Sequence, residues 1–441
     1  MRRGQAQRAV PARSAAAKLA AIMRIVYRLL TTALTPLALL RLSRGPFPAS
    51  ERARWRERLG RIPELSPNRV WIHAASVGEI NAAQALIQAL LDQGQPLLVS
   101  TMTVSGAVRC RELFGEHVEH RYLPLDNPRA TRAWLARTRP RIGLVVETEI
   151  WPELYGRCQS LDIPLVLVSA RISAAAMARY QRFAGLFAAA LKALALALCQ
   201  SDEDARRLGR LGLPEARIRV TGNLKFDLDL PADLAERADA LRAAWGERPI
   251  WTAGSTRPGE EPILLAAHRA LLEQHPASLL VLAPRHPQRA GEIGRLLDRQ
   301  GMRWCAFADR PEAGTQVILV DRLGVLLACY AAAEAAFVGG SLVQLGGHNL
   351  LEPAALGKPV LAGPHLQQQT EAAAALSLAG GLIQVNAVDQ LAATLNRLFS
   401  DRVAAQQIGE AARNALAAGR GSLAAVLEAL RPWLAGGQTG R

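Results

Sequence analysis

Short apolar runs recur along the chain, each bounded by turn residues and followed by a stretch with helical spacing. In the first half they fall at residues 70–74, 96–101, 142–146, 164–169 and 196–200. After a polar, alanine-rich stretch at 230–246 the pattern restarts at 249–253, 278–284, 317–321, 335–338 and 359–362. Runs that are apolar at every position suit strands covered on both faces, and their alternation with helices predicts βαβ units around parallel sheets. Two such series predict two facing Rossmann-like domains with a central cleft, an α/β architecture. The divisions that follow are a basic tail and anchor segment at 1–44, a first domain at 45–228, a linker at 229–246, a second domain at 247–415 and a helical end at 416–441. Helices expected at 390–399 and 403–434 are placed to cross back to the first domain.

The opening of the chain follows a different pattern. Arg2, Arg3, Arg8, Arg13, Lys18, Arg24, Arg28, Arg41 and Arg44 all precede the first acidic residue, Glu51. Between Arg28 and Arg41 runs an uncharged apolar segment. A span needs roughly 20 apolar residues, so this segment is expected to lie in a membrane interface or insert partially. A basic region followed by an apolar core also fits a cleaved signal peptide, but no clear A-x-A site follows. The net charge of +15 asks for an anionic partner. Aromatic residues are only 5%, and no recognition helix or stacking motif is found, which disfavours nucleic acid and favours an anionic membrane face or a phosphorylated lipid. The five cysteines lack a CxxC pair and read as buried thiols of a reducing compartment, without disulfide or zinc.

Candidate chemistry concentrates at strand ends. In FVGGSLVQLGGHNLLEPAALGKPVLAGP, residues 337–364, a strand runs into a glycine loop and a helix expected to begin at Asn349, with Glu352 at N3 and Gly357 closing it. Free N–H groups there would face a phosphate or nucleotide; a capped βαβ unit without ligand has the same pattern. Arg285 and His286 end the run 278–284, within reach of a phosphate or carboxylate. In the first half, the strand at 70–74 leads into a helix starting near Ser76, and Glu79 falls in its first turn at the carboxyl edge of the sheet. That position suits a general base, and Ser76 to Glu79 is also a capping box. A helix N-terminus lowers a carboxylate pKa, so a base there needs burial or a neighbouring anion. Glu147 and Glu149 follow the run 142–146; both point one way if the chain stays extended, and a turn separates them. Lys225 and Arg171 are further candidates for holding a phosphate, and His73 reads as a core histidine.

Ordered blocks carry a family resemblance: HAASVGE at 73–79, ETEIWPEL at 147–154, SARIS at 169–173, QSDEDARRL at 200–208, GNLKFD at 222–227, AGST and GEE within 253–261, APRHP at 283–287, and GGSLVQLGGHNLLEPAALGKPVLAGPH at 339–365. Together the sequence resembles the 3-deoxy-D-manno-octulosonate (Kdo) transferases of lipopolysaccharide assembly. The resemblance implies a GT-B fold preceded by a membrane-anchoring helix, on the cytoplasmic face of a bacterial inner membrane. It implies Kdo transfer from CMP-Kdo to the lipid A precursor lipid IVA without metal or other cofactor. Glu79 becomes the catalytic base, with Glu147 and Glu149 assisting. Pro284, Arg285 and the segment Asn349, Leu350, Leu351 and Glu352 become nucleotide contacts, as do Leu323, Gly324 and Val325. At Val325 the chain departs from the family, whose D-x-x-G-E-L motif carries glutamate. It departs also at Gln368, where asparagine is usual, at Glu153 in WPE, at Arg257 in place of histidine, and in TMTVSG at 101–106. A sugar-nucleotide epimerase and a non-catalytic lipid A precursor-binding relative are the alternatives.

Overall fold

The computed structural model describes residues 10–43, 51 and 53–435. Arg2, Arg3, Arg8 and Arg44 of the basic tail lie outside them. The chain divides into two compact units, Met1–Asp227 with Arg420–Arg441, and Leu228–Gly419.

The first unit is built on seven parallel strands: β1 (Val70–His73), β2 (Leu97–Thr101), β3 (Glu119–Tyr122), β4 (Ile142–Val146), β5 (Leu165–Ala170), β6 (Leu194–Cys199) and β7 (Ile218–Val220). Their order is β3-β2-β1-β4-β5-β6-β7. The second unit has β8 (Ile250–Thr256), β9 (Leu279–Pro284), β10 (Trp304–Ala306), β11 (Val317–Leu319), β12 (Ala335–Val338), β13 (Val360–Ala362) and β14 (Leu382–Gln384), in the order β10-β11-β9-β8-β12-β13-β14. The ten apolar runs of the sequence form the five inner strands of each sheet. The four strands that the pattern did not predict, β3, β7, β10 and β14, are the four edges. An edge strand is paired on one side and partly exposed, so its sequence lacks the continuous apolar run. In β3, Glu119 and Arg121 form an ion pair on the half-exposed face while His120 and Tyr122 point inward.

Both faces of each sheet are covered. In the first unit Trp71, Trp134 and Leu154 fill one layer, and Ile72, Ile80 and Leu86 fill the other. The second layer is completed from the far end of the chain. Helix Ser422–Leu434 lays Val426, Ala429, Leu430 and Leu434 into it, so the final segment belongs to the first unit. The long helix expected at 403–434 is in fact two, Arg402–Ala418 and Ser422–Leu434, interrupted around Gly419 and Gly421. The segment read as a connector carries the helix Leu234–Trp245, whose Ala238 and Trp245 are buried in the second unit.

The N-terminal helix, Val10–Ser43, is longer than the uncharged run implied. Its stretch Ala21–Arg41 is long and apolar enough, by length and composition, to cross a bilayer. Within this stretch the Arg28 guanidinium is paired with Glu153 at 2.6 Å. Tyr27 Oη donates to Asp126 Oδ2 at 2.6 Å, and Asn127 Nδ2 donates to Thr35 Oγ1 at 3.0 Å. Asp126 also accepts from the N–H groups of Glu153 and Leu154, and Asn127 caps the helix Pro128–Thr138. One side of the N-terminal helix is thus held by residues that organise the first turns of two other helices. Its apolar side, with Leu29 and Leu37 each more than 60% exposed, is uncovered.

Candidate active site

Glu79 lies in the first turn of the helix Val77–Asp92, directly after β1. The capping box does not form. Glu79 reaches back to accept from Ala75 N–H and from Ser76 Oγ, whereas Ser76 makes no side-chain cap. Burial pushes the Glu79 carboxyl up to about 7 against the pull of the Ala75 N–H, with Glu147 and Glu149 adding to the rise. Desolvation therefore outweighs the hydrogen bonds at the helix start, which is the offset a base at this position needs.

Glu147 and Glu149 follow β4, and the chain does not stay extended through them. Glu147 adopts a left-handed backbone, φ 58°, which ends the extended run and turns its carboxylate to Lys225 Nζ at 2.8 Å. Lys225 therefore comes to this site as the partner of a carboxylate. Glu149 is pushed up by burial, with Trp151 opposing, and its carbonyl accepts from Tyr155 Oη at 2.8 Å. Arg171 is fixed through its backbone, which exchanges hydrogen bonds with Thr148 Oγ1. His73 is buried, its Nδ1 against Ser100, and burial lowers it to about 4, as a core histidine requires.

In the second unit, Pro284 ends β9 and Arg285 follows, exposed, with its N–H donated to Thr256 O at 3.0 Å. Arg257 Nη1 lies 2.6 Å from His286 Nε2. His348 Nε2 and Arg257 Nε are buried without a hydrogen-bond partner among the described residues. Burial lowers His348 to about 4, and Arg285, Arg257 and His286 lower it further. Four basic side chains thus converge here. Arg257 and His286 line a cavity of about 520 Å³ with Val343, Gln344 and Leu345. A second cavity, about 620 Å³, shares Gln344 and Leu345 and adds His365, Gln367 and Gln368.

The helix expected from Asn349 begins at Leu351 and has five residues, Leu351–Ala355. Its N-cap is Leu350, whose side chain cannot cap it; Asn349, one residue earlier, accepts from Leu351 N–H, and its Nδ2 donates to Glu352 Oε1 at 3.1 Å. So short a helix has little dipole to offer a phosphate. Leu350 and Leu351 are buried, which leaves Glu352 and Asn349 as the polar side chains of that segment. Leu323 is exposed, Gly324 O accepts from Arg237 at 2.7 Å, and Val325 precedes the helix Leu326–Ala332. His348 was not singled out from the sequence, although it lies inside the glycine motif; its burial beside three basic groups is a tertiary fact.

Two Rossmann-like units, one with a buried acid raised toward neutrality and one with converging basic side chains, give the chain the GT-B fold. A family model described as 3-deoxy-D-manno-octulosonic-acid transferase matches residues 53–228. The chain belongs to the 3-deoxy-D-manno-octulosonic acid transferase family. It is 36% identical to the transferase of that name from Haemophilus influenzae over 87% of this chain and 92% of the relative. With the Bordetella pertussis transferase it shares 37% identity over 93% of this chain and 99% of the relative. Among solved structures, the UDP-GlcNAc 2-epimerase of Neisseria meningitidis is similar in fold, with a TM-score of 0.55 at 15% identity over 82% of this chain and all of that one. Fold alone therefore fits transferase and epimerase alike, and the sequence identity decides between them.

Proposed function

We propose that this chain transfers Kdo from CMP-Kdo to lipid IVA with inversion, releasing CMP. The observation that carries the reading is Glu79, a carboxyl held by burial at about 7 in the family's SVGE motif. As base it takes the proton of an acceptor sugar hydroxyl while that oxygen attacks the anomeric carbon of Kdo. The bond from that carbon to the phosphate oxygen breaks, and its electron pair leaves with CMP. Arg285, Arg257 and the imidazoles of His286 and His348 hold the phosphate as its charge grows, the role a divalent cation has in other transferases. Asn349 and Glu352 take the ribose hydroxyls, and transfer needs no metal.

The N-terminal helix lies in the headgroup plane of the inner membrane, on its cytoplasmic face, where the lipid acceptor resides. Support comes from its hydrogen bonds through Tyr27, Arg28 and Thr35, which a spanning pose would strip away, and from the exposed apolar side opposite. Incubation of the purified protein with lipid IVA and CMP-Kdo, followed by mass spectrometry of the lipid, tests the reading. A gain of one or more Kdo masses is expected; an unchanged lipid beside an active control transferase would overturn it.

A further inference from the structure

The loop after β12 does not offer its N–H groups to a ligand, as the glycine motif led one to expect. Gly340 N–H donates to Glu260 Oε2 at 2.7 Å, and Ser341 and Leu342 N–H donate to Glu260 Oε1 at 3.0 and 2.9 Å. Arg257 N–H donates to the same carboxylate at 2.8 Å. Glu260 is fully buried, and no positively charged side chain pairs with it among the described residues. Consecutive N–H groups converging on one point make a nest of the kind that binds phosphate elsewhere. Here the chain fills the nest with its own carboxylate.

Filling the nest fixes the loop. Gly340 has φ 70°, and a Cβ there would lie 2.9 Å from the His348 ring, so the glycine lets the imidazole pack directly on the loop. His348 N–H donates to Gly339 O at 3.0 Å, and Gly347 N–H to Gly340 O at 2.8 Å. Ser341 Oγ ties the opposite side, donating to Val338 O and accepting from Gly363 N–H at 2.8 Å. Through one carboxylate the backbone of Arg257 and the seat of His348 are therefore set together. These are two of the four basic groups that converge beside the cavity, and Arg257 lines it.

We propose that Glu260 is a positioning residue for that pocket. It serves as an internal anion that holds Arg257 and His348 in register, so that the phosphate of the donor is met by side chains rather than by loop N–H groups. The inference rests on the reading that this pocket holds the nucleotide phosphate. Glu260→Gln keeps the size of the side chain but removes the charge and places an amide against N–H groups; Glu260→Ala empties the nest for a small anion.

The test is CMP binding by calorimetry on the full chain, with thermal melting and steady-state kinetics alongside. In Glu260→Gln, CMP affinity is expected to fall about tenfold, the KM for CMP-Kdo to rise to match, and kcat to stay within about threefold. In Glu260→Ala, millimolar formate, occupying the emptied nest, is expected to restore most of the CMP affinity; the wild type should not respond. Wild-type CMP affinity in both variants would overturn the proposal. So would loss of binding only together with the whole melting transition, which would make Glu260 a folding residue. Failure of the wild type itself to bind CMP would instead overturn the reading of the pocket.

Discussion

Lys225 Nζ lies 2.8 Å from Glu147 Oε1, and Glu147 is one of two carboxylates that help push Glu79 upward. The lysine therefore tempers the repulsion felt at Glu79. In Lys225→Met the Glu147 charge stands uncompensated, and the acidic limb of kcat/KM is expected to move up by about half a unit, because the pair is partly solvent-screened. Glu147→Gln should move the limb the other way. A pH profile of each variant between 5 and 9 checks both directions, and coincident limbs would separate Glu147 from the base.

Glu79→Gln should keep CMP affinity within about twofold and lower kcat by about a hundredfold or more, the scale of a lost general base. In the wild type, activity should rise with pH through about 7 as Glu79 ionises. Stability runs the opposite way. The folded protein holds this proton up to about 7 and an unfolded chain only to about 4.5. Stability is thus full below 4.5 and declines as pH rises through 7. Glutamine removes that loss, so at pH 8 the variant should be more stable by about 1–2 kcal/mol, and at pH 4 the two should converge. Thermal melts at the two pH values measure the difference.

Anion binding at the second-unit pocket should draw in protons. His348 is lowered to about 4 and His286 is lowered too, each by burial and by neighbouring arginines. A bound phosphate offsets those charges and raises both imidazoles. Calorimetry of CMP binding at pH 6 in buffers of different ionisation enthalpy should report net proton uptake. Arg285→Ala should weaken CMP binding about tenfold, on the scale of a lost charge-assisted hydrogen bond, and flatten its dependence on salt.

The inner strands, and the place of Glu79 in the first turn of the helix after β1, were legible in the sequence because each rests on local pattern. A run such as VWIH can be buried on both faces only in the middle of a sheet. The four edge strands were not legible, since half-exposed residues such as Glu119 and Arg121 carry no continuous apolar signal. At the site, Glu147 and Glu149 were visible as acids, but the left-handed turn at Glu147 that ends the extended run was not. His348 and Glu260 acquire their roles only from burial and from partners far along the chain, as when Glu260 meets Gly340, Ser341 and Leu342. The first helix is longer than the uncharged run because Arg and Lys are good helix formers, so the helix continues through Arg28, Arg24, Lys18 and Arg13 where the apolar run stops.

Asp227 accepts from Gly421 N–H at 2.7 Å and from Leu423 N–H at 2.6 Å, so a carboxylate sits at the start of the helix Ser422–Leu434. Both its hydrogen bonds and its charge favour the helix at that end. Asp227→Ala should destabilise the first unit by about 1–2 kcal/mol, with Asp227→Asn recovering part of the loss through one remaining acceptor. Denaturant titration followed by first-unit tryptophan fluorescence reads the change.

Because that helix brings Val426, Leu430 and Leu434 to the first unit from beyond the second, the order of synthesis and the order of completion differ. On the ribosome the first unit emerges early, yet the apolar seat against its helix Val77–Asp92 stays open until nearly the whole chain has been made. The second unit can close its core sooner. A chain ended at Gly419 would therefore hold the whole of the second unit and still carry exposed apolar surface on the part translated first, so a chaperone would be drawn to the older half of the protein rather than the newer.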